Sequence, residues 1–132
     1  MMVLYGHHSD ATGERRWHLA LALLFGAVAF SLSALPGISG VVGLAALTCS
    51  AAAVMCSQSL FWALPTAMLS GSAAAAGIAW INSLGNLAGY VSPYLIGVVR
   101  DSTGSMTLAL LTLSASMLMS ALLVLVMTRP RK

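Results

Sequence analysis

Apolar and polar positions along the chain alternate in long blocks rather than at short period. Four apolar blocks are separated by brief breaks, and residues 19–99 contain no charged side chain. A helix rises 1.5 Å per residue, so about 20 apolar residues cross roughly 30 Å of hydrocarbon. Cutting the blocks at their helix-breaking residues predicts four spans, at 17–35, 38–63, 72–99 and 106–128. Pro36 and Gly37 close the first, Pro65 the second, and the Ser70-Gly71 break opens the third. The third is long enough to cross with tilt, with a kink or early end expected at Pro93. All four are expected to be helical, because only helices and closed barrels satisfy their own backbone groups in lipid.

Composition reinforces the membrane reading. Hydrophobic residues make up 59% of the chain, charged residues 7%, and mean hydropathy is +0.93. A soluble domain averages roughly 25% charged residues and needs polar surface, which an uncharged run of this length does not supply. The expected fold is therefore all-α and integral to the membrane.

Charge then orients the spans. Arg15 and Arg16 precede the first, Arg129, Arg131 and Lys132 follow the last, and Arg100 is the only other basic residue. By the positive-inside rule both ends are cytoplasmic, with the Pro36-Gly37 and Arg100-Asp101 turns on the other side. Topology accounts for the net charge of +3, so no nucleic-acid partner is implied. Residues 1–5 are too short for a signal-peptide core and read as the last turn of an earlier helix, which predicts that the chain is the tail of something longer.

Candidate chemistry is sparse. Cys49 and Cys56 lie seven apart on one span, about 10.5 Å along its axis, too far for a disulfide. His7, His8 and Asp10 have no second ligand cluster to complete a metal site. No catalytic triad, carboxylate pair or phosphate-binding loop is present, so the chain is not read as an enzyme, and neither cofactor nor metal is expected.

Two patterns carry more. Residues 6–13 and 97–104 both read G-x-x-x-D-x-T-G, 91 positions or three spans apart. An odd number of spans sets the two turns on opposite membrane faces, as in inverted repeats of three helices. Glycine lets a helix stop, and Asp or Thr accepts hydrogen bonds from the N–H groups opening the next. In the third span, Asn82, Asn86, Gly85, Gly89, Ser92 and Pro93 fall within about 120° of one another on a helical wheel. Trp80, Leu84, Leu87 and Val91 occupy the other side. Gly85 and Gly89 form a G-x-x-x-G step suited to close helix packing, with Pro93 one turn on. Asn82 and Asn86 at membrane depth require a partner or a wet cavity.

Three stretches carry a resemblance: GHHSDATGERRWH at 6–18, FWALP at 61–65, and AGIAWINSLGNLAGYVSPYLIG at 76–97, leading into Asp101 and Thr103-Gly104. They resemble the C-terminal third of major facilitator superfamily transporters, in the anion:cation symporter branch that carries organic acids such as tartrate, phthalate or hydroxyphenylacetate. The resemblance implies that residues 1–5 end helix 8 and that the four spans are helices 9 to 12 of twelve, in a bacterial inner membrane. It implies a gating turn made by Gly6, Asp10, Gly13, Arg15 and Arg16, which pin neighbouring helix ends across the interface between the two halves. His7 and His8 fall at variable positions of that motif. It also implies that Gln58, Trp62, Asn82 and Asn86 line the central pathway. Trp62 reads equally as an interfacial anchor, as do Trp17, Tyr90 and Tyr94.

Function is then expected to be that of a C-terminal fragment of a proton- or cation-coupled symporter for small organic anions. Its partners are the lipid bilayer, a small organic anion with its coupling cation, and a missing N-terminal half, without which it does not transport. The alternative is a self-standing four-helix membrane protein acting as a dimer or accessory subunit. Small multidrug-resistance transporters have that size but couple through a carboxylate within a span, whereas Asp10, Glu14 and Asp101 all lie at span ends.

Overall fold

In a computed structural model of the chain, residues 14–68 and 70–128 are described, and they form four helices with no strand among them. These are α1 (Arg15–Ser33), α2 (Gly40–Met68), α3 (Gly71–Thr103) and α4 (Met106–Met127). The chain is thus all-helical, and α1, α2 and α4 are long and apolar enough to cross a membrane by length and composition. At 33 residues α3 has more than the length required. Its polar stripe, with two asparagines, serines, a proline and several glycines, keeps its hydropathy below that of its neighbours.

Where each helix stops follows from local backbone chemistry. Past α1, the N–H groups of Ala34 and Leu35 return to Ser31 and Leu32, and Gly37 turns the chain with φ of 81°. The α3 to α4 turn is made by Gly104, at φ of 66°, whose N–H caps Arg100 O at 2.8 Å. Ser105 then opens α4 by accepting the Leu108 N–H at 3.3 Å, while Thr103 Oγ1 accepts the Ser105 N–H at 3.3 Å.

Two expected boundaries move, and of the kink or early end expected at Pro93 the early end does not occur. Pro65 does not end α2, and Pro93 does not end α3; each sits inside a helix that continues. Nearby hydroxyls stay within the helix at both places. Thr66 donates to Trp62 O at 3.0 Å, and Ser92 to Ala88 O at 2.8 Å, carbonyls one position from the Phe61 and Gly89 oxygens that the prolines leave without a backbone donor. Arg100 and Asp101, expected as a turn, form the last helical turn of α3, because the conformational break falls on Gly104. Asp101 is accordingly not the residue that caps α4.

α1 packs along both α2 and α4, whereas α3 leans mainly on α4 and buries none of its residues. The buried face of α1 is built from Leu19, Ala20, Ala22, Gly26, Ala27 and Ala29, which are small apart from Leu19. Lipid tails are as apolar as leucine, so helices in a bilayer associate by close packing and hydrogen bonds rather than by hydrophobic burial. Both means occur here. A methyl group built on Gly26 would lie 2.6 Å from Met117 Cε and 3.2 Å from Ala53 Cβ, so α2 and α4 both approach the bare backbone. Ser50, from α2, donates to Gly26 O at 3.0 Å, and Ser114, from α4, donates to Ala27 O at 2.8 Å. Ser31 Oγ stands 2.6 Å from Ser114 Oγ. The outward faces carry Phe25, Val28, Leu122 and Val126, all exposed as lipid-facing side chains are.

These hydroxyl ties set a modest expectation. Interhelical hydrogen bonds in membranes average about 0.6 kcal/mol, because the separated helices find other partners. Ser114→Ala is expected to cost about that much, measured by denaturant titration of the purified chain in detergent. A loss several times larger would mean that the Ser31–Ser114 pair carries more than packing.

Candidate functional site

The polar stripe foreseen on the third span exists as a continuous feature of α3. Asn82 and Asn86 are one turn apart, with Gly85 and Gly89 beside them, and all four are exposed. Pro93 lies further along the same face, also exposed. The close packing expected at Gly85 and Gly89 is absent among the described residues, since a methyl group on either would meet nothing within 4 Å. The reason lies in how α3 sits. It leans mainly on α4, touches α2 little and buries none of its residues, and the asparagine stripe is left exposed.

The two candidates on α2 have different surroundings. Gln58 is exposed, while Trp62 is half-buried and meets Phe61 edge to face at 5.7 Å between ring centroids. α2 and α3 touch little, so the packing does not draw Gln58 and Trp62 against Asn82 and Asn86.

Of the gating-turn residues, Gly6, Asp10 and Gly13 lie outside the described residues, as do His7 and His8. Arg15 and Arg16 form the first turn of α1. Arg16 meets a helix end, but that end belongs to α4 of this chain: Nη2 donates to Leu125 O at 2.5 Å. Carbonyls in a last helical turn lack intrahelical donors and carry the negative end of the helix dipole, so a guanidinium suits them. Its charge also lies over the neighbouring Trp17 ring, 5.6 Å from the centroid. Its Nε is buried without a hydrogen-bond partner. Arg16 thus ties two helix ends within this bundle.

Electrostatics leave the stripe neutral. The charged groups among the described residues are Glu14, Arg15, Arg16, Arg100 and Asp101, all at helix ends. No group of three or more His, Cys, Asp or Glu side chains that could hold a metal occurs among the described residues. Cys49 and Cys56 are free thiols on α2. A groove of about 210 Å³ lined by Ala27, Val28, Ser31, Leu32, Leu35 and Leu118 runs between α1 and α4, away from the stripe and almost wholly apolar. An arrangement of amides and small residues without charge can hydrogen-bond a solute or pack a helix. It cannot by itself neutralise a carboxylate or relay a proton.

Sequence reading missed Gly26, Ser31, Ser50 and Ser114. A signal was available, since each is a small or hydroxylic residue within an otherwise apolar helix. The partner of Arg16 carried no signal, because a backbone carbonyl has no side-chain signature.

Known proteins supply an independent comparison. The chain is 46% identical over 129 residues to a protein of Agrobacterium vitis named as a tartrate transporter, covering 97% of this chain and 28% of that one. A second Agrobacterium vitis protein of the same name is 45% identical over 128 residues, covering 97% of this chain and 29% of its own length. A quinolone resistance transporter of Acinetobacter baumannii is 41% identical over 122 residues, covering 92% and 28% respectively. The chain thus spans less than a third of the length of these relatives, and the match falls in their C-terminal part. These relatives are named as transporters and not as enzymes. No protein-family profile matches the chain, and no solved structure matches it.

Proposed function

We propose that this chain, which matches the C-terminal part of organic-acid permeases of the major facilitator superfamily, supplies helices 9 to 12 of a secondary active transporter for small organic anions. Transport is coupled to a proton or another cation, in a bacterial inner membrane with both chain ends cytoplasmic. The observation that carries this reading is the uncovered stripe of Asn82, Asn86, Gly85 and Gly89 on α3. Unpaired amides facing lipid are costly, so such a stripe belongs against further helices or a wet pathway. Gln58 and Trp62 of α2, which the packing does not draw against this stripe, line the same pathway from a separate position. Cations that neutralise the substrate, and the group that relays the coupling proton, come from the rest of the transporter. The described spans hold none.

The test is a graft in which this chain replaces the matching 129 residues of the Agrobacterium vitis relative. Saturable uptake of radiolabelled tartrate, abolished by a protonophore, is expected in cells expressing the graft. The purified chain alone in liposomes is expected to stay at background. Saturable, proton-coupled uptake by the isolated chain would overturn the reading in favour of a self-standing transporter. A graft that inserts and folds but takes up no tartrate would overturn the organic-anion assignment.

A further inference from the structure

The groove between α1 and α4 has no part in the proposed pathway, and its walls consist wholly of described residues. Along α1 it runs from Ala27, past mid-helix, to Leu35 at the turn beyond. Eight positions at 1.5 Å each extend about 12 Å, close to half of the roughly 30 Å hydrocarbon thickness. That is the depth of one leaflet. Its α4 wall is Leu118, next to the Met117 that meets Gly26, so this wall stands at the Ala27 end. Val28, Leu32, Leu35 and Leu118 are exposed, and Val28 lies one turn from Phe25 as Leu118 does from Leu122. The groove is thus continuous with the lipid-facing surface. Ser31 supplies the one side-chain hydroxyl of the lining, and it is held within the helix pair, donating to Ala27 O at 2.9 Å with Ser114 Oγ 2.6 Å away. The other lining side chains are alanine, valine and leucine, which offer a ligand no hydrogen bond.

We propose that this groove is a binding site for one acyl chain of a membrane phospholipid, its carboxyl end at Leu35 and its methyl end at Val28 and Leu118. The lipid belongs to the leaflet on the side of the Pro36-Gly37 turn. Size fits a single chain: an apolar cavity of about 150 Å³ stays dry and takes up a small hydrocarbon, whereas drug-sized ligands occupy about 300 Å³ or more. The groove, at about 210 Å³, lies between the two. Within a bilayer the chain is not driven in by water, since lipid tails already surround it, so closer packing has to hold it. An empty groove leaves its walls without contacts, and a few added carbon–carbon contacts shift occupancy about threefold. The site is independent of the transport reading and concerns how α1 and α4 meet their bilayer.

The experiment reconstitutes the full chain in vesicles of phosphatidylcholine that carries a photoactivatable diazirine near the carboxyl end or at the methyl end of one acyl chain. Mass spectrometry then counts cross-links at each residue. With the methyl-end probe, Val28 and Leu118 are expected to take at least about threefold more label than the outward Phe25 and Leu122. The carboxyl-end probe is expected to move that label to Leu32 and Leu35. Leu118→Trp fills the groove from α4 and should bring Val28 down to the level of Phe25, and Val28→Trp should do the same to Leu118 from the other wall. Leu122→Trp, outside the groove, is expected to leave the labelling within about twofold of wild type. Equal label on groove and outward residues would overturn the proposal, leaving only ordinary contact with bulk lipid. A pattern that does not shift between the two probes would overturn it too, as would full groove labelling in both folded tryptophan variants. The tartrate-transporter graft, reconstituted in the same vesicles, is expected to keep the groove label. Its loss there, with Phe25 and Leu122 still labelled, would show that another helix covers the groove and would overturn the lipid assignment.

Discussion

Replacing Asn82 and Asn86 together with leucine in the tartrate-transporting graft is expected to lower uptake at least about tenfold, at unchanged membrane abundance. The two amides are one turn apart on the same exposed side of α3, with two glycines between and beside them. A polar group that lines a pathway contributes hydrogen bonds to the solute or its water, and each such bond is worth about 1 kcal/mol or more in a site of low dielectric. Losing two should therefore exceed a tenfold effect. Leu84 supplies the control, because it is exposed on the opposite side of the helix among Trp80 and Leu87. Leu84→Ala is expected to leave uptake within about twofold of wild type, as substitutions away from special features do. If the double leucine variant transports normally, the stripe is a packing surface and no wall of a pathway. If both variants lose uptake equally, α3 is sensitive as a helix and its faces do not differ.

Gly26→Leu is expected to destabilise the chain by about 2 to 3 kcal/mol, the upper range for forcing bulk into a close-packed contact. The location decides the size. Gly26 is buried between Ala53 of α2 and Met117 of α4, and its carbonyl accepts the Ser50 hydroxyl. A single methyl, as in Gly26→Ala, meets the mobile end of Met117 first, and that end can swing aside. Only Ala53 Cβ at 3.2 Å then has to yield, so the alanine variant should lose a fraction of the leucine penalty. A leucine also displaces α2 and breaks the Ser50 bond. Denaturant titration of the purified chain measures both. Gly85→Leu, placed where a side chain meets nothing within 4 Å, is expected to be neutral in the same assay. In the graft it should be costly, since the proposed pathway wall is then covered by other helices. Neutrality in both settings would leave the G-x-x-x-G step without a partner and weaken the transport reading.

The contrast between these glycines shows how much of the fold was legible along the chain. Glycine spacing singled out Gly85 and Gly89, a pattern recognisable because it repeats on one helical face. Gly26 repeats nothing, and its importance comes from two other helices meeting it from positions 24 to 91 residues away. The same holds for arginine. A basic residue before a span can be read as a topological marker, but which carbonyl it will meet depends on how α1 and α4 align. Proline misled in the opposite direction at Pro65, which looks like a stop although α2 continues through it, and at Pro93, where a kink or early end was expected, α3 does not end. The break between α3 and α4 falls instead on Gly104, the residue able to adopt positive φ.

What the sequence determined by itself is the solvent and the number of helices. An uncharged stretch of 81 residues has to be immersed in hydrocarbon, and hydrocarbon admits helices of a certain length separated by turn residues. It determined the polar stripe too, because helical periodicity places Asn82 and Asn86 on one side whatever lies beside them. Tertiary structure alone decided which faces meet. It made α1 the shared partner of α2 and α4, tied Arg16 to Leu125, put Gly26 at the tightest contact and left the stripe of α3 uncovered. The physical reason is that in lipid apolar side chains gain little by facing one another rather than the bilayer. Pairing then rests on small residues and a few hydrogen bonds, whose partners lie far apart along the chain.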